Sequence, residues 1–200
     1  MIKNIIFDFG AVLVDWNPHY LFDKYFKTIE ESTWFIKNVC TSEWNAEMDC
    51  GKSFAQAVKE RTAMFPDYAE PLKLYETNWM DTMGEEMPGM YDLIKSLKEN
   101  GFPVIYGLTN WSAETFPEVK KRYRIFSLID KMVVSGEVKM LKPNPEIYQA
   151  LLNKFNLKAE DSLFIDDNVK NVEGAKNVGM KALRFENASK LRQDLNNLLR

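Results

Sequence analysis

Apolar residues follow two rhythms along this chain. Short strand-like runs stand at residues 5–7, 104–108, 131–134 and 163–165. Between them, apolar positions recur every three or four residues. Met90, Leu93, Ile94 and Leu97 form one such face, closed by Gly101. Ile147, Leu151 and Leu152 form another, opened by Asn144-Pro145. The first rhythm predicts buried strands and the second predicts amphipathic helices. Glycine suits the end of a helix and proline its first turn. Val172, Ala175 and Val178 predict a helix ending at Gly179. A last strand is expected over 182–185, and Ser189 as the cap of a terminal helix through Leu195, Leu198 and Leu199. Such alternation predicts an α/β protein with a parallel sheet covered on both faces.

Residues 16–84 interrupt the alternation. Tyr20, Leu21, Tyr25 and Phe26 suit a helix face, as do Trp34, Phe35 and Val39. Ser53 is placed to cap a helix carrying Phe54, Ala57 and Val58, and a further helical stretch runs through Leu72, Leu74 and Tyr75 toward Met80. None of it reads as a central strand. The expected organisation is a core from 1–15 and 85–200 with a helical insert over 16–84.

Composition narrows the function classes. A chain of 200 residues holds one sizeable core with a modest insert. Hydrophobic content of 46% and charged content of 28% are ordinary for a soluble globular protein. The net charge of −3, without a basic patch, argues against nucleic acid as a partner. The run at 5–7 is too short for a signal peptide or a membrane span, so no membrane partner is expected. Cys40 and Cys50 are the only cysteines. They leave a bridge open, but two thiols in an otherwise unstapled chain point to a reducing cytoplasm. His19 is the single histidine, which disfavours Cys/His metal clusters and histidine-based triads.

The candidate chemistry lies where apolar runs end in reactive polar residues. Asp8 follows the run at 5–7, Thr109-Asn110 follows 104–108, and Asp166-Asp167 follows 163–165. Lys142-Pro143 stands just before a predicted helix. In open α/β sheets ligands bind beyond the carboxyl ends of the strands, so these residues are expected to meet at one edge. A carboxylate, a hydroxyl, a cation and a carboxylate pair suit metal-assisted phosphoryl transfer. Adjacent carboxylates repel unless a cation lies near them, and hard oxygen ligands suit Mg²⁺.

These four segments, in this order and spacing, resemble the signature motifs of the haloacid dehalogenase superfamily, most of whose members are phosphatases. The resemblance covers essentially the whole chain. It implies a Rossmann-like, three-layer parallel-sheet core with a helical cap inserted after the first motif. Asp8-Phe9-Gly10-Ala11-Val12, Asp166-Asp167-Asn168 and Glu173-Gly174-Ala175 look like the bacterial sugar-phosphate phosphatases similar to α-D-glucose-1-phosphate phosphatase. The amino-terminal phosphatase domain of soluble epoxide hydrolases is a more distant likeness. By this resemblance Asp8 is the nucleophile, Thr109 and Asn110 hold a phosphoryl oxygen, and Lys142, rather than Lys139, offsets charge. Asp8, the Gly10 carbonyl and Asp167 are expected to hold Mg²⁺, with Asp166 supporting. The substrate is expected to be a small phosphorylated metabolite, handled by a monomer or weak homo-oligomer.

Gly10 departs from the pattern. Most family phosphatases carry there the aspartate that moves the proton of the leaving group, a contribution of roughly 10²–10⁴-fold. Asp15 is one candidate replacement, but its place at the entry to the cap favours reading it as the residue that marks where the cap begins. Trp16, Trp44 and Trp111 are open to two readings, sugar-stacking or core. The stretch 44–54, with Glu47, Asp49 and Gly51, resembles the cap segment of the sugar-phosphatase branch and is expected near the substrate entrance. Two other functions stay open: a metal-independent 2-haloacid dehalogenase, which dispenses with the second aspartate, and a catalytically impaired phosphate-binding module.

Overall fold

The computed structural model describes residues 1–199. The chain opens with β1 (Asn4–Phe7) and β2 (Val14–Trp16). It passes through α1 (His19–Tyr25), α2 (Ile29–Asn38), α3 (Ser42–Asp49), α4 (Phe54–Met64) and α5 (Ala69–Thr77), then returns in β3 (Met83–Glu86). Helices and strands then alternate: α6 (Met90–Glu99), β4 (Ile105–Thr109), α7 (Phe116–Arg122), β5 (Lys131–Val134), α8 (Ser135–Val138), α9 (Pro145–Phe155), β6 (Ser162–Asp166), α10 (Val169–Asn177), β7 (Lys181–Arg184) and α11 (Ala188–Leu198).

Five strands form one parallel sheet in the order β5-β4-β1-β6-β7. The chain steps outward from β1 through β4 to β5, then returns to the other side of β1 for β6 and β7. That reversal leaves a crevice at the carboxyl end of the central strand, the usual ligand position in open α/β sheets. The register is close: Phe7 lies level with Gly107 on one side and Ile165 on the other. Asp8, Thr109 and Asp166 therefore emerge side by side on one edge.

Successive side chains of a strand point to opposite faces, and the packing obeys this. Ile5, Phe7, Leu163 and Ile165 belong to one apolar core, and Ile6, Phe164, Tyr106 and Leu108 to the other. The first core also takes in Phe22, Phe35, Trp44 and Tyr75 from the helical insert. Cap and sheet thus share one continuous apolar interior. Beside the site, Phe9 stacks on Phe116 at 5.6 Å and meets Phe126 edge-on at 5.1 Å. Gly107 makes this possible, because a Cβ there would lie 2.3 Å from the Phe9 ring.

Local signals mostly act as the sequence implies. The Ser53 hydroxyl accepts the Gln56 N–H at 3.2 Å and caps α4. Gly101 and Gly179 take left-handed φ values of 107° and 87° after α6 and α10. Two expectations are corrected. Asn187, not Ser189, caps the terminal helix: its extended backbone lets Oδ1 accept the Lys190 N–H at 2.9 Å. The insert is also flanked by a two-stranded antiparallel ribbon of β2 and β3 that the sequence pattern did not reveal. Strands of three and four residues are too short to display a period. The expected boundaries at 16 and 84 fall inside these strands.

Gly107→Ala is expected to destabilise the fold by about 1–3 kcal/mol, because a buried aromatic ring must move to admit the methyl group. Urea denaturation followed by circular dichroism measures this. A change below 0.5 kcal/mol, on the order of an ordinary surface substitution, would mean that Phe9 yields freely.

Candidate active site

The site is organised around a buried ammonium. Lys142 has a side chain only 1% exposed. Its Nζ lies 2.8 Å from Asp8 Oδ1, 2.7 Å from Asp166 Oδ2 and 3.1 Å from the Leu108 carbonyl. A lysine has three N–H donors, and these partners take all three. The loop bearing Lys142 is pinned by Asn110. The Asn110 Oδ1 accepts the Lys142 backbone N–H at 2.9 Å, and its Nδ2 donates to the Lys142 carbonyl at 3.0 Å. The Asn110 side-chain amide is thus a clamp on that loop.

Asp166 is completely buried and saturated with donors. Oδ1 accepts the Asn168 N–H at 2.8 Å and Asn171 Nδ2 at 3.1 Å; Oδ2 accepts Asn171 Nδ2 at 3.0 Å as well as Lys142. Asp167 is only half-buried. One carboxylate oxygen from each of Asp8, Asp166 and Asp167 lies within 4.8 Å of the others. Two of these three carboxylates contact the one ammonium, so negative charge is left over. Burial pushes the Asp8 carboxyl up to about 7, against the pull of Lys142 and with the help of Asp166. Burial and then Asp166 raise Asp167. Burial works against the Lys142 charge, but Asp8 and Asp166 outweigh it and hold the ammonium above its ordinary value. A hard divalent cation fits this donor set.

A cavity of about 120 Å³ opens over these groups. From the sheet edge it is lined by Asp8, Gly10, Asn110 and Trp111; from the ribbon and cap come Trp16, Trp79, Asn45 and Asp49. Thr109 is fully buried beneath, and its Oγ1 has no hydrogen-bond partner among the described residues. Buried polar atoms are normally paired; this hydroxyl and the Trp16 Nε1 are exceptions among the described residues.

The cap side differs from the sequence expectation in a way that helix geometry explains. Trp44 is not on the cavity wall. It is 4% exposed and packs against Tyr75 inside the cap. Residues four apart share a helix face. On α3, Trp44 and Met48 face the cap interior, while Asn45 and Asp49 face the cavity. Glu47 lies outside, paired with Lys52. Asp15 is likewise displaced. It accepts the Tyr20 hydroxyl and lines an outer groove with His19 and Asp23, away from Asp8. Asn45 and Trp79 had no distinguishing signal in sequence; the i, i+4 relation of Asn45 to Asp49 was the one available clue. Cys40 and Cys50 are both free thiols. No helix among the described residues is long and apolar enough to cross a membrane.

A five-stranded parallel sheet, a helical insert after β1 and a carboxylate trio with a buried lysine between two of its members define a Rossmann-like hydrolase class. The family model for haloacid dehalogenase-like hydrolases matches residues 5–185, and the chain belongs to that family. Among relatives, it is 25% identical to the D-ribitol-5-phosphate phosphatase of Bacteroides thetaiotaomicron, covering 100% of this chain and 99% of that one. It is 27% identical to the sesquiterpene phosphatase astK of Aspergillus oryzae, over 92% of this chain and 89% of that one. It is also 31% identical over 107 residues to the drimenol cyclase drtB of Aspergillus calidoustus, using 52% of this chain and spanning only 20% of that protein. A HAD family enzyme of Bacteroides thetaiotaomicron, solved as a magnesium complex, superposes with a TM-score of 0.76 at 22% identity, covering 100% of this chain and 98% of that one. That likeness speaks for the fold.

Two measurements test the electrostatics. Asp166→Ala strands Lys142 and Asn171 in the interior and is expected to cost about 3–5 kcal/mol of stability, whereas Asp167→Ala should cost less than about 1 kcal/mol. Equal losses in urea titrations would refute the assignment of Asp166 as the buried partner. Burial pushes the Asp49 carboxyl up to about 7 from 3.8. A raised acid favours its neutral form in the fold, so its contribution is full below about pH 4 and is lost as pH climbs toward 7. Asp49→Asn removes this loss. Its stability relative to wild type should rise by on the order of 1.4 kcal/mol per pH unit across that window. A pH-independent difference would show that Asp49 is not held in a desolvated site.

Proposed function

We propose that this chain is a Mg²⁺-dependent phosphatase that hydrolyses a small phosphorylated metabolite, a sugar or polyol phosphate, through an aspartyl-phosphate. The observation that carries this reading is the trio Asp8, Asp166 and Asp167, two of them paired with the buried Lys142, with a small cavity over Asp8 and an unpartnered buried Thr109 hydroxyl nearby at the end of β4. The phosphatase names of two nearly full-length relatives support it. The cavity supports a small, hydroxylated leaving group: three indoles give apolar walls, while Asn45 and Asp49 give hydrogen-bonding ones. A metal-independent dehalogenase leaves the excess carboxylate charge without a purpose.

In this reading Asp8 and Asp167, with the Gly10 carbonyl, hold Mg²⁺, and Asp166 orients the lysine. Bound there, the cation offsets the charge of the carboxylates and of the phosphoryl group. Lys142 opposes the burial that favours a neutral Asp8 carboxyl and fixes its direction for attack on phosphorus. Thr109 Oγ1 and the Asn110 backbone N–H receive the phosphoryl oxygens that gain charge in the transition state.

The deciding experiment is a phosphate-release screen over sugar phosphates, polyol phosphates and other phosphometabolites, with Mg²⁺ and with chelator. Turnover of small hydroxylated esters that chelator abolishes is expected; full activity in chelator would defeat the metal assignment. Asp8→Asn should reduce turnover at least ~10³-fold with the fold retained, and wild-type rates in that variant would exclude the covalent route. In calorimetric Mg²⁺ titrations, Asp167→Ala should weaken binding more than Asp166→Ala. The reverse order would exchange their roles.

A further inference from the structure

Gly10 leaves the reaction without its expected proton carrier, and the cavity holds one further carboxyl. Asp49 is the cap residue whose side chain lines the same small space as Asp8 and Gly10. It stands at the end of α3, and the core fixes it there. The Asp49 backbone carbonyl accepts the Ser135 hydroxyl at 2.6 Å, and the Ser135 oxygen accepts the Trp111 N–H at 2.8 Å. Gly136 lets this junction close, since a Cβ there would meet the Ala113 nitrogen at 2.5 Å and the Trp111 carbonyl at 2.8 Å. The side chain is held as firmly. Tyr75 donates its hydroxyl to Asn45 Oδ1 at 2.6 Å, which turns the Asn45 Nδ2 toward Asp49 Oδ2 at 3.0 Å. The Ser112 backbone N–H also lies near this carboxyl and favours its charged form. Both partners are donors. A proton on Asp49 therefore meets no acceptor in either of them, and the cavity is the space left to it.

We infer that Asp49 is the general acid and base of the proposed phosphatase reaction, replacing from the cap the side chain that Gly10 lacks. The inference rests on the phosphatase reading above. In the first step an Asp8 oxygen bonds to phosphorus as the ester P–O bond breaks, and the leaving oxygen takes the Asp49 proton and departs as an alcohol. In the second step a water oxygen bonds to phosphorus and gives its proton to the Asp49 carboxylate. The bond between phosphorus and Asp8 breaks, inorganic phosphate leaves, and both carboxyl groups return to their starting states. The raised acid of Asp49 suits the first step, because a carboxyl neutral near pH 7 has a proton to give.

The test compares wild type and Asp49→Asn on p-nitrophenyl phosphate and on a pentitol 5-phosphate, both with Mg²⁺. The amide keeps an acceptor for Ser112 but cannot carry the proton. A nitrophenolate needs no proton to leave, so the variant should release a burst of one equivalent of nitrophenol and then slow ~10²–10⁴-fold. The pentitol ester should slow as much, without a burst. Pentitol turnover within three-fold of wild type, or a loss on both esters with no burst, overturns the assignment. The second outcome would make Asp49 a cap tether only. Should Asp49→Asn fail to fold, Gly10→Asp decides. The site has room for it: Gly10 has no left-handed φ, and a Cβ there would have Trp111 at 3.8 Å as its nearest neighbour. No gain on the pentitol ester in Gly10→Asp supports Asp49 as the existing proton carrier; a ten-fold gain or more overturns it. A wild-type protein that hydrolyses neither ester defeats the phosphatase reading itself, a result distinct from every outcome for Asp49.

Discussion

The interaction on which the rest depends is the buried Lys142 ammonium between Asp8 and Asp166. Burying one unpaired charge costs several kcal/mol, so the lysine is tolerated only because two carboxylates and the Leu108 carbonyl receive its three protons. The same contacts fix the direction of Asp8 and make Asp166 an orienting group. They also leave the trio short of positive charge, which is why a divalent cation fits. In the proposed reading, a single constraint thus sets the geometry of the nucleophile, the division of labour between adjacent aspartates and the place of the metal.

A second constraint joins the cap to this centre. The main apolar core runs without interruption from Phe7 and Phe9 under the sheet to Phe22, Phe35 and Tyr75 in the insert. Polar contacts then set the register of that attachment. Ser135 binds both Trp111 and Asp49, and Gly51 at the end of α3 comes close to the Gly136 carbonyl. The cap therefore delivers Asn45 and Asp49 to a defined place over Asp8. In the proposed mechanism this is where proton transfer and leaving-group recognition meet. A glycine at position 10 is then consistent with catalysis, because the proton comes from a different element of the fold.

Much of this was legible in the sequence. The apolar runs ending at Asp8, Thr109 and Asp166 announced three strands whose ends carry chemistry, and parallel pairing of adjacent strands brings such ends together. Helix limits at Ser53, Gly101 and Gly179 followed from backbone preferences that act over a few residues. Where local signals compete, the sequence misled: Ser189 and Asn187 both suit a cap, and only the backbone entering α11 selects Asn187. The ribbon of β2 and β3 joins residues some seventy positions apart in strands too short to show a period.

What the sequence by itself determined is the set of elements and the identity of the groups at the sheet edge, because side-chain period and strand polarity are properties of the local chain. What only the tertiary structure decided is which polar groups from the insert reach that edge. Trp44, Asn45 and Asp49 lie within six residues, and nothing local says which of them faces the sheet. The answer depends on how α3 is rotated when the cap packs. Burial of Trp44 and Met48 against the cap interior turns Asn45 and Asp49 toward the cavity, while Asp15, the middle residue of β2, faces the outer groove with Tyr20. Packing of distant apolar surfaces, rather than any motif, set those directions.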